Sequence, residues 1–321
     1  MKYLYSFLII ISLIFISCSS KTSNTESSDK VFKIGILQLI EHDALDASYR
    51  GFVDGLKEAG YEDGKNIIID YQNAQGEQAN CVTIGQKFVN DKSDLILAIA
   101  TPAAQAVANM TKDIPILVTA VTDPAAANLV ANNKTPGGNV TGTSDLTPVE
   151  AQIELLNQIT PNLKTVGLLY CSSEQNSVFQ MDIAKKKLDS MGLKYIDATV
   201  TSANEIQQVV QSLIGKVEAI YTPTDNMIAA GMATVALVAE PAKLPVVCGE
   251  GGMTMLGGTA TYAISYYELG KLTASQAVII LKGIKKPGEM SIETLKKFDL
   301  VVNTNMVNSI GITIPESLYQ K

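Results

Sequence analysis

Phe32-Lys33-Ile34-Gly35-Ile36-Leu37 reads as a buried β-strand, and Thr165-Val166-Gly167-Leu168-Leu169-Tyr170 reads as a second version of it further along. From the first, the pattern runs outward in a regular rhythm. A helix is expected around Ala47 to Ala59, a strand over Asn66 to Asp70, a helix over Ala79 to Asn90 and a strand over Leu95 to Ile99. A helix from Pro102 to Met110 and a strand over Ile114 to Val118 complete the unit, and the turn formers of Asn132 to Asn139 close it. From the second, the rhythm restarts, with a helix before it (Pro148 to Ile159) and a helix over Val178 to Met191 after it. Strands then follow at Tyr195 to Val200, Ala219 to Thr222 and Pro245 to Gly249, with helices over Glu205 to Leu213 and Met227 to Ala239. A helix over Gly270 to Gly283 and a strand over Phe298 to Asn303 end the pattern. Strands that alternate with helices in this way require parallel pairing and crossover helices. The chain is therefore α/β, with two doubly wound parallel-sheet lobes.

The N-terminus carries a different message. Lys2 precedes an apolar run from Leu4 to Phe15, then Ile16-Ser17-Cys18, then a polar tract from Ser19 to Lys30. That order reads as an export signal, and the cysteine at its end resembles a bacterial lipobox, the alternative being an ordinary cleaved signal with an incidental cysteine. The apolar run is too short to be a good membrane span. Residues 1–17 are expected to be a signal peptide and 18–30 a flexible tether. Lipidation of Cys18 would hold the protein at the cell envelope membrane, outside the cytoplasm.

Composition narrows the function. The formal net charge is -7, and removal of Lys2 with the signal takes it to -8. An acidic chain with no basic cluster and no Trp argues against nucleic acid as a partner. About 290 residues follow the tether, more than one core usually organises. Cys81, Cys171 and Cys248 are scattered, without a CxxC pair, and are expected to be buried as small apolar residues. His42 is the only histidine, so no metal site is expected. GxSxG, P-loop and GxGxxG motifs are all missing, so no catalytic residue, enzyme activity or cofactor is expected.

In open α/β sheets, ligands meet the loops beyond the carboxyl ends of the strands. In the first half these loops are Gln38-Leu39-Ile40-Glu41-His42-Asp43, Ala100-Thr101-Pro102-Ala103 and Ala120-Val121-Thr122-Asp123-Pro124. In the second they are Cys171 to Ser177, Thr222-Pro223-Thr224-Asp225-Asn226 and Gly249-Glu250-Gly251-Gly252. Thr101 before a proline is a helix N-cap candidate, and such a helix start attracts a carboxylate. Thr122 allows the same reading. Asp225 and Glu250 could cap helices, or accept charge-assisted hydrogen bonds from an α-ammonium. Tyr262, Tyr266 and Tyr267 flank a strand-to-helix junction, where one ring could cover an apolar or aromatic ligand.

Several blocks together resemble one family. Gly35-Ile36, Gln38, Glu41-His42 and Arg50-Gly51-Phe52, then Ile99 to Gln105, Val121 to Pro124 and Gly138 to Asp145, look like the ABC-transporter substrate-binding proteins of the TrpX-like group. Ser173-Glu174, Asn176-Ser177, Pro223 to Asn226 and Tyr266-Tyr267-Glu268-Leu269-Gly270 extend the likeness, which runs from about Val31 to Pro315. The chain departs from that pattern at Asp43, Cys171 and Ser265, where Pro, Asn and Asp are common. The resemblance implies a type I periplasmic-binding-protein fold with a three-segment hinge. Lobe 1 would span 31–145 plus about 263–285, and lobe 2 would span 146–262 plus about 286–321.

It also implies a monomeric, lipid-anchored receptor that delivers an amino acid, such as tryptophan or phenylalanine, to an ABC permease. The expected ligand-binding residues are Gln38, Glu41, Thr101, Pro102, Thr122, Asp123, Ser144, Ser177, Asp225, Asn226, Glu250 and Tyr266, with Thr101 and Asp225 foremost. The competing ligands are a nucleoside, a sugar and a branched-chain amino acid, and Arg50, on a helix, does not favour the sugar. A chemosensory receptor would share the fold and site. An exported hydrolase using Glu41 or Asp225 would need a nucleophile that the sequence does not specify.

Overall fold

The computed structural model describes residues 30–320. The signal peptide, nearly all of the tether and Cys18 lie outside them. Val31–Lys321 forms a compact unit that holds its own hydrophobic cores. The first half runs β1 (Phe32–Gln38), α1 (Asp43–Glu58), β2 (Ile67–Asn73), α2 (Gln78–Asn90), β3 (Leu95–Ile99), α3 (Thr101–Ala108), β4 (Ile116–Val121) and β5 (Val140–Ser144). The second runs α4 (Val149–Ile159), β6 (Thr165–Cys171), α5 (Gln175–Ser190), β7 (Lys194–Val200), α6 (Ile206–Leu213) and β8 (Ala219–Thr222). It continues through α7 (Asn226–Ala230), α8 (Met232–Ala239), β9 (Val246–Cys248), α9 (Gly251–Leu256) and β10 (Ala260–Ala263). The end of the chain holds α10 (Tyr266–Leu281), β11 (Glu293–Thr294), β12 (Asp299–Val302) and α11 (Thr304–Ile310).

Two sheets result. One has the order β11-β5-β4-β3-β1-β2 and the other β12-β10-β9-β8-β6-β7. Without the late edge strands, both follow the same path, in which the second strand lies outside the first and the third turns back on its other side. All pairs are parallel except β10 with β12. Helices cover both faces, so the central strands are buried along their whole length; Leu95–Ile99 and Ile116–Val121 have no exposed position.

The chain crosses between the sheets three times, at 145–148, 264–265 and 295–298. That is the three-segment hinge the resemblance implied. After the second crossing, α10 returns to the first lobe and lies against α1. A Cβ at Gly51 would stand 2.0 Å from the Tyr267 carbonyl oxygen, and one at Gly270 would stand 2.1 Å from that of Ser48. Only glycine lets these backbones touch. β11 then pairs with β5, so the first lobe keeps the chain to Thr294, beyond the expected boundary near 285.

Other departures have local causes. The helix expected over Met227 to Ala239 breaks at Gly231, where a Cβ would meet Ile206 Cδ1 at 2.3 Å. β5, α9, β11 and α11 are additions to the expected pattern, and α1 begins at Asp43, ahead of Ala47. Cys81, Cys171 and Cys248 are free and buried. Among the described residues, no helix is long and apolar enough to cross a membrane.

Candidate functional site: a cavity between the lobes

The carboxyl ends of both sheets face one narrow, tightly closed cavity lined by side chains of both lobes. The first lobe brings His42, Ala44 and Leu45 from the start of α1, Ala120 and Thr122 from the end of β4, and Tyr266 from the start of α10. The second brings Asn176 from α5, Thr224, Asp225, Asn226 and Ala229 around α7, and Glu250 before α9. Asp145 comes from the first hinge crossing. No Lys or Arg is among these lining residues.

The lobes touch directly around this space. Thr122 Oγ1 and Thr224 Oγ1 are 3.2 Å apart, and Gln180 Nε2 donates to both, at 3.2 and 2.7 Å. His42 Nε2 lies 3.3 Å from Asn226 Oδ1. At the rim, Gln105 Nε2 donates to Gln175 Oε1 at 2.5 Å, and Gln175 Nε2 donates to the Ala126 carbonyl at 2.9 Å.

Three buried acids line the cavity, and they are held differently. Asp225 caps α7 by accepting from Ile228 N–H at 2.8 Å, while its other oxygen accepts from Cys171 N–H at 2.6 Å and the Ser177 hydroxyl at 2.7 Å. Glu250 caps α9, accepting from Gly252 and Met253 N–H at 2.5 and 2.6 Å. Each sits at a helix start, where backbone N–H groups need acceptors. Asp145 accepts from the Tyr266 hydroxyl at 2.6 Å, the Thr122 hydroxyl and its own backbone N–H also bear on it, and its Oδ1 is buried without a partner within hydrogen-bond distance. A fourth acid, Glu174, lies behind the wall and accepts from Asn176, Asn226 and Met227.

Burial raises all four. It lifts Asp145 to about 6 and Glu250 to about 7. Glu174 also rises to about 7, through burial first and then the charge of Asp225, and burial raises Asp225 too. Burial holds the His42 imidazole below its usual range, so it is neutral near pH 7. Its Nδ1 and the Asn176 Oδ1 are also buried without partners. The arrangement sets buried carboxylates and unpartnered acceptors, with no cationic side chain among the lining residues, beside an apolar wall. Among the described residues, no group of His, Cys, Asp and Glu is placed to hold a metal.

Of the twelve expected residues, Thr122, Asp225, Asn226, Glu250 and Tyr266 meet at this cavity. Thr101 and Asp123 line a neighbouring space that shares Asn176 with it. Thr101 is the first residue of α3 and caps nothing; Ala100 holds the cap position at a φ of 86°. Asp123 shapes its own turn by accepting from Ala125 and Ala126 N–H. Gln38 is tied to the Ile40 carbonyl and Asp46, and Ser144 donates to the Thr122 carbonyl. Ser177 serves Asp225, Glu41 is exposed, and Pro102 is half-buried in α3. None of these last five lines either space. Tyr267 turns outward to Asp54, and Ser265 caps α10.

The expected set did not contain His42, Asp145, Asn176 or Thr224. Three of them lie in the strand-end loops, which is the signal that could have found them; Asp145 needed the hinge crossing to be recognised.

A family model for ABC transporter substrate binding proteins matches residues 33–321. The chain belongs to that family. It is 40% identical over 296 residues to a tyrosine-binding protein of Clostridioides difficile strain R20291, covering 92% of this chain and 86% of that protein. A solved ABC domain in complex with L-Trp from Streptococcus pneumonia is 41% identical, with a TM-score of 0.87 over 91% of this chain and 98% of that one. A ligand-free, open structure of a substrate binding protein with adhesive properties from Clostridium difficile is 44% identical, covering 89% of this chain and 97% of that one, but its TM-score is 0.69. This substrate-binding protein therefore superposes better on the L-Trp complex than on the open structure, although its sequence is slightly nearer the latter.

Proposed function

We propose that this protein is the lipid-anchored, extracytoplasmic receptor of an ABC importer, and that it closes on a free aromatic amino acid. One observation carries the reading: Asp145, Asp225 and Glu250 are buried around the cavity, no Lys or Arg lines it, and Asp145 Oδ1 has no partner. Closing the lobes strips water from these acids, which is unfavourable unless a cation arrives with the ligand. An α-ammonium meets that need at Asp145, through a charge-assisted hydrogen bond. The ligand's ring packs on Ala44, Leu45, Ala120, Ala229 and the Tyr266 ring. The Thr122 hydroxyl and the start of α3, whose first N–H groups lack intrahelical partners, serve its carboxylate. The ligand favours the closed arrangement, and the permease recognises that state. The names of the relatives that bind tyrosine and L-Trp support the same ligand class.

A thermal-shift screen tests this, using the chain from Asp29 onward after unfolding and refolding to remove carried-over ligand. The twenty amino acids, nucleosides and common sugars form the panel. A ligand at a hundred times its Kd stabilises by about 2.7 kcal/mol, a clear rise in Tm. Shifts with aromatic amino acids are expected. Shifts confined to nucleosides or sugars would replace the ligand class, and no shift with any compound would reject the receptor reading for this panel.

A further inference from the structure

We propose that His42 and Asn176 form a wall of hydrogen-bond acceptors, wired by Glu174, that selects an aromatic ring bearing a donor (a phenol or an indole) over a bare phenyl ring. The proposal deepens the amino-acid reading and rests on it.

The wiring starts from Glu174, which in its ionised form can only accept. Glu174 Oε2 takes Asn226 Nδ2 at 2.5 Å and Asn176 Nδ2 at 3.1 Å, and also Asn226 N–H at 3.2 Å. Its Oε1 takes Met227 N–H at 3.0 Å. Both amides must turn their NH₂ groups towards it, so both amide oxygens face away. Asn176 is fixed a second time, because Nδ2 also donates to the Thr224 carbonyl at 2.9 Å. Its Oδ1 is buried and has no partner.

The Asn226 oxygen faces His42 Nε2 across the cleft, at 3.3 Å. An oxygen there requires the imidazole proton on Nε2, which leaves Nδ1 a bare lone pair. Nδ1 is buried without a partner, and burial disfavours the protonated ring that would turn it into a donor. Two neutral acceptors on residues that line the cavity are thus set by one carboxylate behind it.

The ligand's ammonium takes Asp145, since a charge-assisted bond is about twice as strong as a neutral one. The acceptors of His42 and Asn176 remain for the rest of the ligand. A phenol O–H or indole N–H satisfies one of them. A phenyl ring excludes water and leaves both unmet, and sites built for a donor discriminate strongly against analogues that lack it.

Calorimetric titration of the same refolded protein with L-tyrosine, L-tryptophan and L-phenylalanine tests this. Tyrosine or tryptophan is expected to bind at least about tenfold more tightly than phenylalanine. In His42→Leu that advantage is expected to fall below about threefold, because the donor loses a partner and phenylalanine no longer strands that acceptor. Glu174→Gln, which can donate to the two amides and reorient them, is expected to do the same. If Glu174→Gln does not refold, His42→Leu alone decides. Equal wild-type affinity for phenylalanine overturns this inference alone. A His42→Leu loss that is the same for all three ligands also overturns it, by placing His42 at the amino-acid end. No binding by any of the three overturns it together with the aromatic reading.

Discussion

Asp225 in the second lobe and Asp145 in the first hinge crossing line the same cavity, at 1% and 3% exposure, and burial raises both. Their surroundings differ. Asp225 receives three donors, two of them backbone N–H groups from β6 and α7. Asp145 has the Tyr266 hydroxyl as its close donor and keeps Oδ1 without a partner within hydrogen-bond distance. Glu250 resembles Asp225, because its carboxylate is taken up by the start of α9. Burial and a shifted titration therefore do not separate a structural acid from a binding one. The unpartnered oxygen at the cavity wall is what sets Asp145 apart and supports the proposed ammonium contact.

The largest effect expected from this contrast is on stability. Asp225→Ala removes the cap of α7 and leaves the buried Cys171 N–H without its acceptor. A lost cap costs about 1 kcal/mol and an orphaned buried donor a further 1–3, so a loss of roughly 3 kcal/mol is expected in urea unfolding of the ligand-free protein. Asp145→Asn keeps an acceptor for Tyr266 and removes a buried charge, so its ligand-free stability should hold or rise. Its affinity should fall instead, by about thirtyfold, or ~2 kcal/mol for a charge-assisted bond. A greater loss of affinity in refolded Asp225→Ala than in Asp145→Asn would reverse the assignment of the two acids.

The sequence made the β/α rhythm legible because parallel strands covered on both faces are continuous apolar runs, as at Leu95 to Ile99. It hid β5, whose Val-Thr-Gly-Thr-Ser buries threonines and so lacks that signature. It hid α9 as well, where Gly251 and Gly252 weaken the helix signal over a six-residue element. The strand-end loops located the cavity, since the topology alone directs them there. They could not rank its acids. Which carboxylate keeps a free oxygen depends on partners as distant in the chain as Cys171 is from Asp225, and sequence spacing does not report that. Ser144 and Ser177 fail to reach the cavity for the same reason, since their hydroxyls are committed to neighbours, and the Gln38 amide is held away by its Nε2 bonds to the Ile40 carbonyl and Asp46.

A smaller effect follows from pH. Asp145, at about 6, lies above the usual carboxylate range, so the ligand-free closed form favours its protonated state. The sign is the same for Glu174 and Glu250, both at about 7. Their contribution to the closed, ligand-free form is fully present below the ordinary carboxylate range and is lost as pH rises through about 6 to 7. Ligand affinity moves the opposite way, because an ammonium requires ionised Asp145. Between pH 8 and pH 5, calorimetry at constant salt should show about a tenfold loss of affinity, one pH unit below the midpoint corresponding to one tenth ionised. Asp145→Asn should flatten that profile. An unchanged slope in the variant would assign the linkage to Glu250 or Glu174.

The smallest effect belongs to the rim. Gln105 Nε2 donates to the Ala127 carbonyl at 3.1 Å as well as to Gln175, and Gln175 reaches back to Ala126. The two bonds made by Gln175 join the lobes, so they exist only while the cleft is shut. Gln175 is exposed, so water competes for both partners and the net gain is about 0.5–1 kcal/mol. A group that acts only in the closed state slows release without changing encounter. Gln175→Ala should therefore speed dissociation about two- to fivefold in stopped-flow chase experiments, with the association rate unchanged. An unchanged dissociation rate would show that the closed lobes are held by the ligand and the inner contacts alone. Release would then be controlled at the acids and the acceptor wall, with no contribution from the rim.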